Sequence, residues 1–520
     1  MASQKDFCLN ILFVLYGDLN SNTAIPITLF AKHLNAQGHQ CALAVPQRPD
    51  PSKAILNPFL PAFGFDQILE KNCAIFPQGQ RAHIVHACTP RKVIYEFISE
   101  YMDIIPTPIA VYLEDNEDWI AQVALKATES SILSFTNKEI DGQLPKYLSH
   151  PFESLYFIGL CDLAILIQKK LAVSVPPFIP QKIVSWGYDL EEFQSRSEGI
   201  HEVREKYNIP ATAKVIVYPG GLNPYTQSAI QDLCEAVIQI NDQGIECILL
   251  RTGPGPLAQV YPNDEYPKNI IRDLGVIPRS DIPPLLNIAD VFVQPGRITL
   301  FEDLRLPSKI PEFLAMGKPL LLPNCHIADF FQDSVDAVIL KTGESQEIAQ
   351  KCIEVFSDEI WSGTLGKNAR IIAEQHFDIH KQTNLLLEAY QETIRDFESN
   401  YSLDESKKIW ETANSEGILI ALCLRMQIIA LNSPALSPDL MRFAIQLIKH
   451  QQSRIDALSQ RMDSPLEKIK TLEKNIGDLQ GIILMQSDEL KRAKEKISAL
   501  EQSSSWKITS PLRWLSRIIR

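Results

Sequence analysis

Between Ala289 and Pro323 the chain carries Arg297, Glu302, Asp303, Arg305, Lys309 and Glu312 within sixteen residues. Two carboxylates ten residues apart suit sugar or ribose hydroxyls, and Arg and Lys suit phosphate. The charges sit between two apolar runs. Val291 to Val293 reads as a buried parallel strand, and Pro319 to Leu322 as the next. A helix between them would bury Phe313, Leu314 and Met316 and stop at Gly317. Charges at the carboxyl end of a strand, with a helix following, are where open α/β sheets hold ligands and anions.

The order of these residues resembles the signature of the retaining glycosyltransferases of family 4. That signature runs from an "ADVFV-P" strand through a glutamate, a "GLP" loop and a second glutamate to "A-M-A-x-G-x-P-V". Glu302 matches the first glutamate, Leu306-Pro307 the loop and Glu312 the second. Asp303 and Arg305 stand where loop glycines are usual, and the glutamate spacing is two residues longer. The resemblance covers about 1–400 and implies two Rossmann-like domains facing a cleft, the GT-B fold, with a nucleotide-sugar as substrate and no metal or other cofactor. It implies Glu302, Arg305 and Lys309 as catalytic groups, with Glu302 on the donor sugar and Glu312 on the ribose.

The elements that must position these groups follow in chain order. Leu9 to Leu15 reads as the first strand rather than a secretion signal, then a helix over Ser21 to Ala36 and a strand over Cys41 to Val45. Strands over Ala82 to Ala87 and Ile109 to Leu113 end in His86-Ala87-Cys88-Thr89-Pro90-Arg91 and Glu114-Asp115-Asn116-Glu117-Asp118, which resemble "HA-x-TPR" and "LEDNE" of one branch of the family. His86 and Glu114 are candidate acceptor or donor-sugar contacts, although His86 could equally cap a helix or pack. The acidic run otherwise serves a helix start and solvent. Asp162 to Ile167 is another strand, and Trp186-Gly187-Tyr188-Asp189 with Phe193 resembles the "WGYD-x-x-x-F" that closes the first domain.

Lys214 to Tyr218 opens the second half, followed by Gly220 and Gly221, which could let backbone approach a phosphate. Most family members place an arginine and a lysine in this loop; Gly221 and Thr226 stand near those places here. Arg251 in "RTGPG" joins Gly220 and Gly221 as a donor-binding candidate, and Val276 and Ile277 would flank the base. The expected divisions are 1–193, a linker 194–212, 213–375, a helix 376–400 returning to the first domain, a helical hairpin 401–461, a coiled coil 462–502 and a basic amphipathic tail 503–520.

The coiled-coil reading rests on Ile469, Leu472, Ile476, Leu479, Ile483, Gln486, Leu490, Ala493, Ile497 and Leu500, spaced by threes and fours. It implies a homo-oligomer through 469–500. Trp506, Trp514 and four cations with no acid suit a membrane surface or a partner protein. A net charge of -13 and pI near 5.4 argue against nucleic acid. Ten scattered cysteines suit a reducing cytosol. The expectation is a cytoplasmic glycosyltransferase, peripheral at the inner face of the membrane, acting on a glycan or lipid-linked acceptor in cell-surface polysaccharide assembly. Its rivals are a non-catalytic GT-B subunit that binds a glycan or a partner, and a sugar-nucleotide epimerase of the same fold.

Overall fold

The computed structural model describes residues 8–19, 21, 23–49, 60–222, 226–261, 265–325, 327–400, 402–415, 417–432, 436–461, 474–477 and 479–481. The tail 503–520 and most of the expected coiled coil lie outside the described residues.

Seven parallel strands form the N-terminal sheet: β1 (Asn10–Val14), β2 (Gln40–Val45), β3 (Ala62–Gly64), β4 (Ile84–Cys88), β5 (Ile109–Leu113), β6 (Leu163–Leu166) and β7 (Gln181–Ile183), in the order β3-β2-β1-β4-β5-β6-β7. β1, β4 and β5 are buried at every position, as strands covered by helices on both faces must be. The C-terminal half carries β8 (Lys214–Pro219), β9 (Cys247–Thr252), β10 (Ile271–Asp273), β11 (Phe292–Val293), β12 (Leu320–Pro323) and β13 (Val338–Leu340). They pair as β10-β9-β8 and β11-β12-β13, and a parallel bridge between Ile216 and Val291 joins the two ladders. Both halves thus have the strand order in which ligands bind at the carboxyl ends, beside the first strand.

The helix expected over 376–400 is Ile379–Asn400, and a break at Phe377 separates it from helix Glu359–His376. The break has a partner. Tyr188 N–H donates to Phe377 O at 2.8 Å and Ile379 N–H donates to Tyr188 O at 3.2 Å. Gly187 permits this, since a Cβ there would lie 2.6 Å from Ile379 Cα. The second helix then runs over helix Ala24–Ala36, where Gln37 Nε2 donates to Asn384 Oδ1 at 2.9 Å and the His33 and His380 rings meet edge-on.

The expected hairpin 401–461 is three helices, Leu403–Ser415, Ile418–Asn432 and Ser437–Arg461. Helices Leu403–Ser415 and Ile418–Asn432 part beside Gly417, whose φ of 105° no helix accommodates. Ile418–Asn432 is apolar nearly all round because it is sandwiched, and Arg425 anchors it: its guanidinium meets Leu160 O, Cys161 O and Asp162 Oδ1, the last at 2.8 Å. Among the described residues no helix is long and apolar enough to cross a membrane. Two seam positions of the expected coiled coil are described: Leu479 is buried in the main core, and Ile476 packs on Ile455 and Leu458 of helix Ser437–Arg461.

Candidate active site

Glu302 stands on a one-turn helix, Leu300–Asp303, whose start is capped by Thr299 Oγ1 accepting from Glu302 N–H at 3.2 Å. Its carboxylate is buried and meets Arg305 Nη1 at 3.4 Å. Burial raises the Glu302 carboxyl above its ordinary range, and Arg305 opposes that rise. The next helix, Lys309–Ala315, carries the buried Glu312, which pairs with Arg279 Nη2 at 2.7 Å. Arg279 in turn lies 5.0 Å over the Phe193 ring. Burial raises Glu312 too, with Arg279 pulling it back. Lys309 Nζ sits 4.9 Å over the Tyr218 ring at the end of β8. Glu302, Arg305, Lys309 and Glu312 thus gather at the carboxyl end of the C-terminal sheet. Sequence reasoning gave Arg279 no role, although it lies in the Pro-Arg-Ser-Asp turn just after Val276 and Ile277.

The first domain grips this loop directly. Gln168 Nε2 donates to Asp303 O at 3.1 Å and Arg305 O at 3.0 Å, and Lys170 pairs with Asp303 at 2.6 Å. Tyr188 hydroxyl donates to Ser308 O at 2.6 Å. The Asp303 and Arg305 that replace loop glycines are therefore held from across the cleft. Asp115, at the end of β5, faces the same place: Arg305 offsets the burial that raises its carboxyl, and Asp115 in turn raises Glu302. The acidic run read as a helix start hid it.

Two donor-side candidates have other work. Arg251 is 1 % exposed, and its guanidinium is committed to Gly220 O, Pro254 O, Gly255 O and a two-oxygen contact with Asp273. It clasps the loops after β8 and β9 and presents no charge to the cleft. The Gly220 amide is likewise engaged, donating to Thr252 O at 2.8 Å. Gly220 is required for space, since a Cβ would lie 2.6 Å from the Tyr218 ring. Gly221 lies against Pro254, where a Cβ would stand 3.2 Å from Cγ. Val276 is 74 % exposed and Ile277 partly buried beside it, a surface a flat base can cover.

On the N-terminal side the packing reading of His86 prevails. It is buried under the returning helix, its Nδ1 2.6 Å from the Tyr390 hydroxyl, and ringed by Phe13 and Tyr112. Burial lowers its pKa to about 3, so it stays neutral. Glu114 does face the strand ends: Thr23 hydroxyl donates to its Oε2 at 2.8 Å, and burial lifts its carboxyl to about 8. Arg91 pairs with Glu117 at 3.0 Å and lies 3.8 Å over the Tyr16 ring. Among the described residues, no three His, Cys, Asp or Glu side chains converge as metal ligands would.

Two facing sheets, with a charged loop of one held by side chains of the other, match solved glycosyltransferase structures. Anabaena Alr3699/HepE, crystallised with UDP and glucose, superposes with a TM-score of 0.56 at 14% identity, over 74% of this chain and 99% of that one. WaaG, a glycosyltransferase involved in lipopolysaccharide biosynthesis, gives a TM-score of 0.51 at 11% identity, over 73% of this chain and 99% of its own. The fold is GT-B. Within this GT-B chain, residues 213–358 match the family described as Glycosyl transferases group 1. A curated relative is the "Putative teichuronic acid biosynthesis glycosyltransferase TuaC" of Bacillus subtilis (strain 168), 20% identical over 236 residues. The match spans 45% of this chain and 57% of that relative.

Proposed function

We propose that the chain is a retaining, metal-independent glycosyltransferase that moves a hexosyl group from a nucleotide-sugar to a glycan or lipid-linked acceptor in cell-surface polysaccharide assembly. One observation carries this reading. Glu302, Arg305, Lys309 and Glu312 gather where a GT-B fold opens between its domains, and Asp115 approaches from the other side. Val276 and Ile277 receive the base, Glu312 shares its carboxylate between Arg279 and the ribose hydroxyls, and Glu302 holds hydroxyls of the donor sugar. Arg305 and Lys309 stabilise the charge that grows on the leaving diphosphate. The anomeric C–O bond to the diphosphate breaks as the acceptor oxygen bonds on the same face, and the hydroxyl proton passes to the leaving phosphate oxygen.

Glu302 pairs with Arg305 at 3.4 Å, so the guanidinium is positioned before substrate arrives. Glu302→Gln keeps the size of the side chain and removes its charge. It should lower transfer from a radiolabelled sugar nucleotide by at least about a hundredfold, by analogy with loss of one preorganised electrostatic group, with the melting temperature unchanged. Undiminished turnover would remove Glu302 from the site.

The non-catalytic reading has a specific observation behind it as well. Arg251 is spent on protein acceptors and Gly221 and Thr226 bring no cation, so Arg305 and Lys309 must supply the phosphate charge from the opposite loop. A chain that binds no nucleotide would be a glycan-binding or scaffold subunit.

A further inference from the structure

The helices that follow the second domain leave a cavity where they meet the first sheet. Its volume is about 170 Å³, and it lies at the amino ends of β6 and β7, away from the candidate active site. Three layers wall it: Leu163 and Phe178 at the sheet edge, Phe397 from helix Ile379–Asn400, and Ile429 and Leu436 from the helical layer beyond. An apolar cavity of roughly 150 Å³ stays dry and admits a benzene ring. This one is therefore sized for a single aromatic group.

The charge at its mouth is uneven. Arg425 and Asp162 neutralise each other at 2.8 Å. That leaves Lys182 against Glu392 and Asp396, two exposed carboxylates one turn apart on helix Ile379–Asn400. An occupant with a ring beside two cations complements this mouth, whereas a lipid phosphate would meet an excess of negative charge.

The chain itself carries such a group. The aromatic side chains of residues 482–520 are Trp506 and Trp514, and Trp514 stands beside Arg513 and Arg517, which are four residues apart like the two carboxylates. The segment leading to it already lies on the same helical layer. Ile476 packs on Ile455 and Leu458, whereas Leu479 belongs to the main core, whose members on helix Ser437–Arg461 are Leu440, Phe443, Ala444 and Leu447. The chain thus heads back toward the start of that helix, where Leu436 lines the cavity. Ile455 and Leu436 are about 28 Å apart along a helix. The 33 residues from Gly481 to Trp514 span about 50 Å even when helical, so the tail can reach.

We infer that this cavity is an intramolecular docking socket for Trp514 of the basic tail, with Arg513 and Arg517 meeting Asp396 and Glu392. A docked tail keeps its tryptophan and these cations from any other surface, so docking and membrane contact by the same residues exclude each other.

Fluorine NMR of the full chain carrying fluorotryptophan tests it, with the Trp514 signal assigned by Trp514→Phe and a soluble paramagnetic chelate as the probe of exposure. The Trp514 signal should broaden as little as that of Trp410, which is 1% exposed. Glu392→Lys with Asp396→Lys changes only exposed side chains and should increase the broadening at least about threefold, since like charges then face each other. Adding Arg513→Glu and Arg517→Glu to that chain should restore the protection, which a tail folded elsewhere would not show. A Trp514 signal as exposed in the wild-type chain as in the charge-reversed one would overturn the socket. Protection that disappears on dilution would overturn it too, by seating the tail of a second copy. So would protection that appears only with phosphatidylglycerol vesicles, which would make the membrane the occupant.

Discussion

Glu302 and Glu312 are ten residues apart in sequence, and each buried carboxylate is matched by one arginine, Arg305 or Arg279. The first arginine lay in the loop being read; the second lies 33 residues before Glu312, in a different loop, and nothing in the spacing joins the two. The same limit explains His86 and Arg251. A histidine on an all-buried strand looks alike whether it faces a cleft or a returning helix, and only Tyr390, 304 residues later, decides. Arg251 before a Gly-Pro-Gly turn reads as a donor-binding residue until Asp273 and three carbonyls are seen around it. Glu114 gives this scale a pH test. Its folded pKa of about 8 exceeds the ordinary 4.5, so between those values the native state holds more protons than the unfolded one. Its contribution to stability is complete below about 4.5 and is lost as pH rises through about 8. Urea titrations of wild type and Glu114→Gln from pH 5 to 9 should therefore diverge steadily, with the variant gaining relative stability as pH rises. Parallel curves would mean that Glu114 ionises freely.

Elements were legible where they were long or strongly apolar. β5 was read to the residue, because a run of five buried positions sits between proline and acidic boundaries. β3 and β13 went unread, because three residues carry no periodicity. The breaks at Phe377 and Gly417 interrupt sequences that remain helical in pattern, and tertiary pairing or a left-handed glycine decides them. Two substitutions test what joins the helical layers to the first sheet. Arg425→Ala leaves Asp162, itself 7% exposed, without its cation. That should cost about 3–5 kcal/mol in chemical denaturation, the usual penalty for an uncompensated buried charge. A loss under 1 kcal/mol would show water reaching Asp162. Gly187→Ala drives a methyl toward Ile379 Cα and should cost about 1–3 kcal/mol by overpacking. Its hydrogen-exchange protection should fall first in Ile379–Asn400, which would confirm that this contact docks the returning helix.

At the scale of the whole molecule, both domains and the helix that ties them were readable because each strand–helix repeat carries its own boundary signals. The contacts across the cleft were not, since Gln168, Lys170 and Tyr188 look like ordinary polar residues in their own elements. Those contacts are what turn the charged loop into one face of a site. The most direct test of that site is a melting-temperature series with UDP, GDP and their sugar conjugates, since a ligand that binds only the native state raises it by mass action. The account predicts a rise of several degrees with one nucleotide family at about 1,000 times Kd, equivalent to about 4 kcal/mol, and its loss in Arg305→Ala/Lys309→Ala. A chain unmoved by every nucleotide at millimolar concentration, or a shift that survives the double substitution, would contradict it.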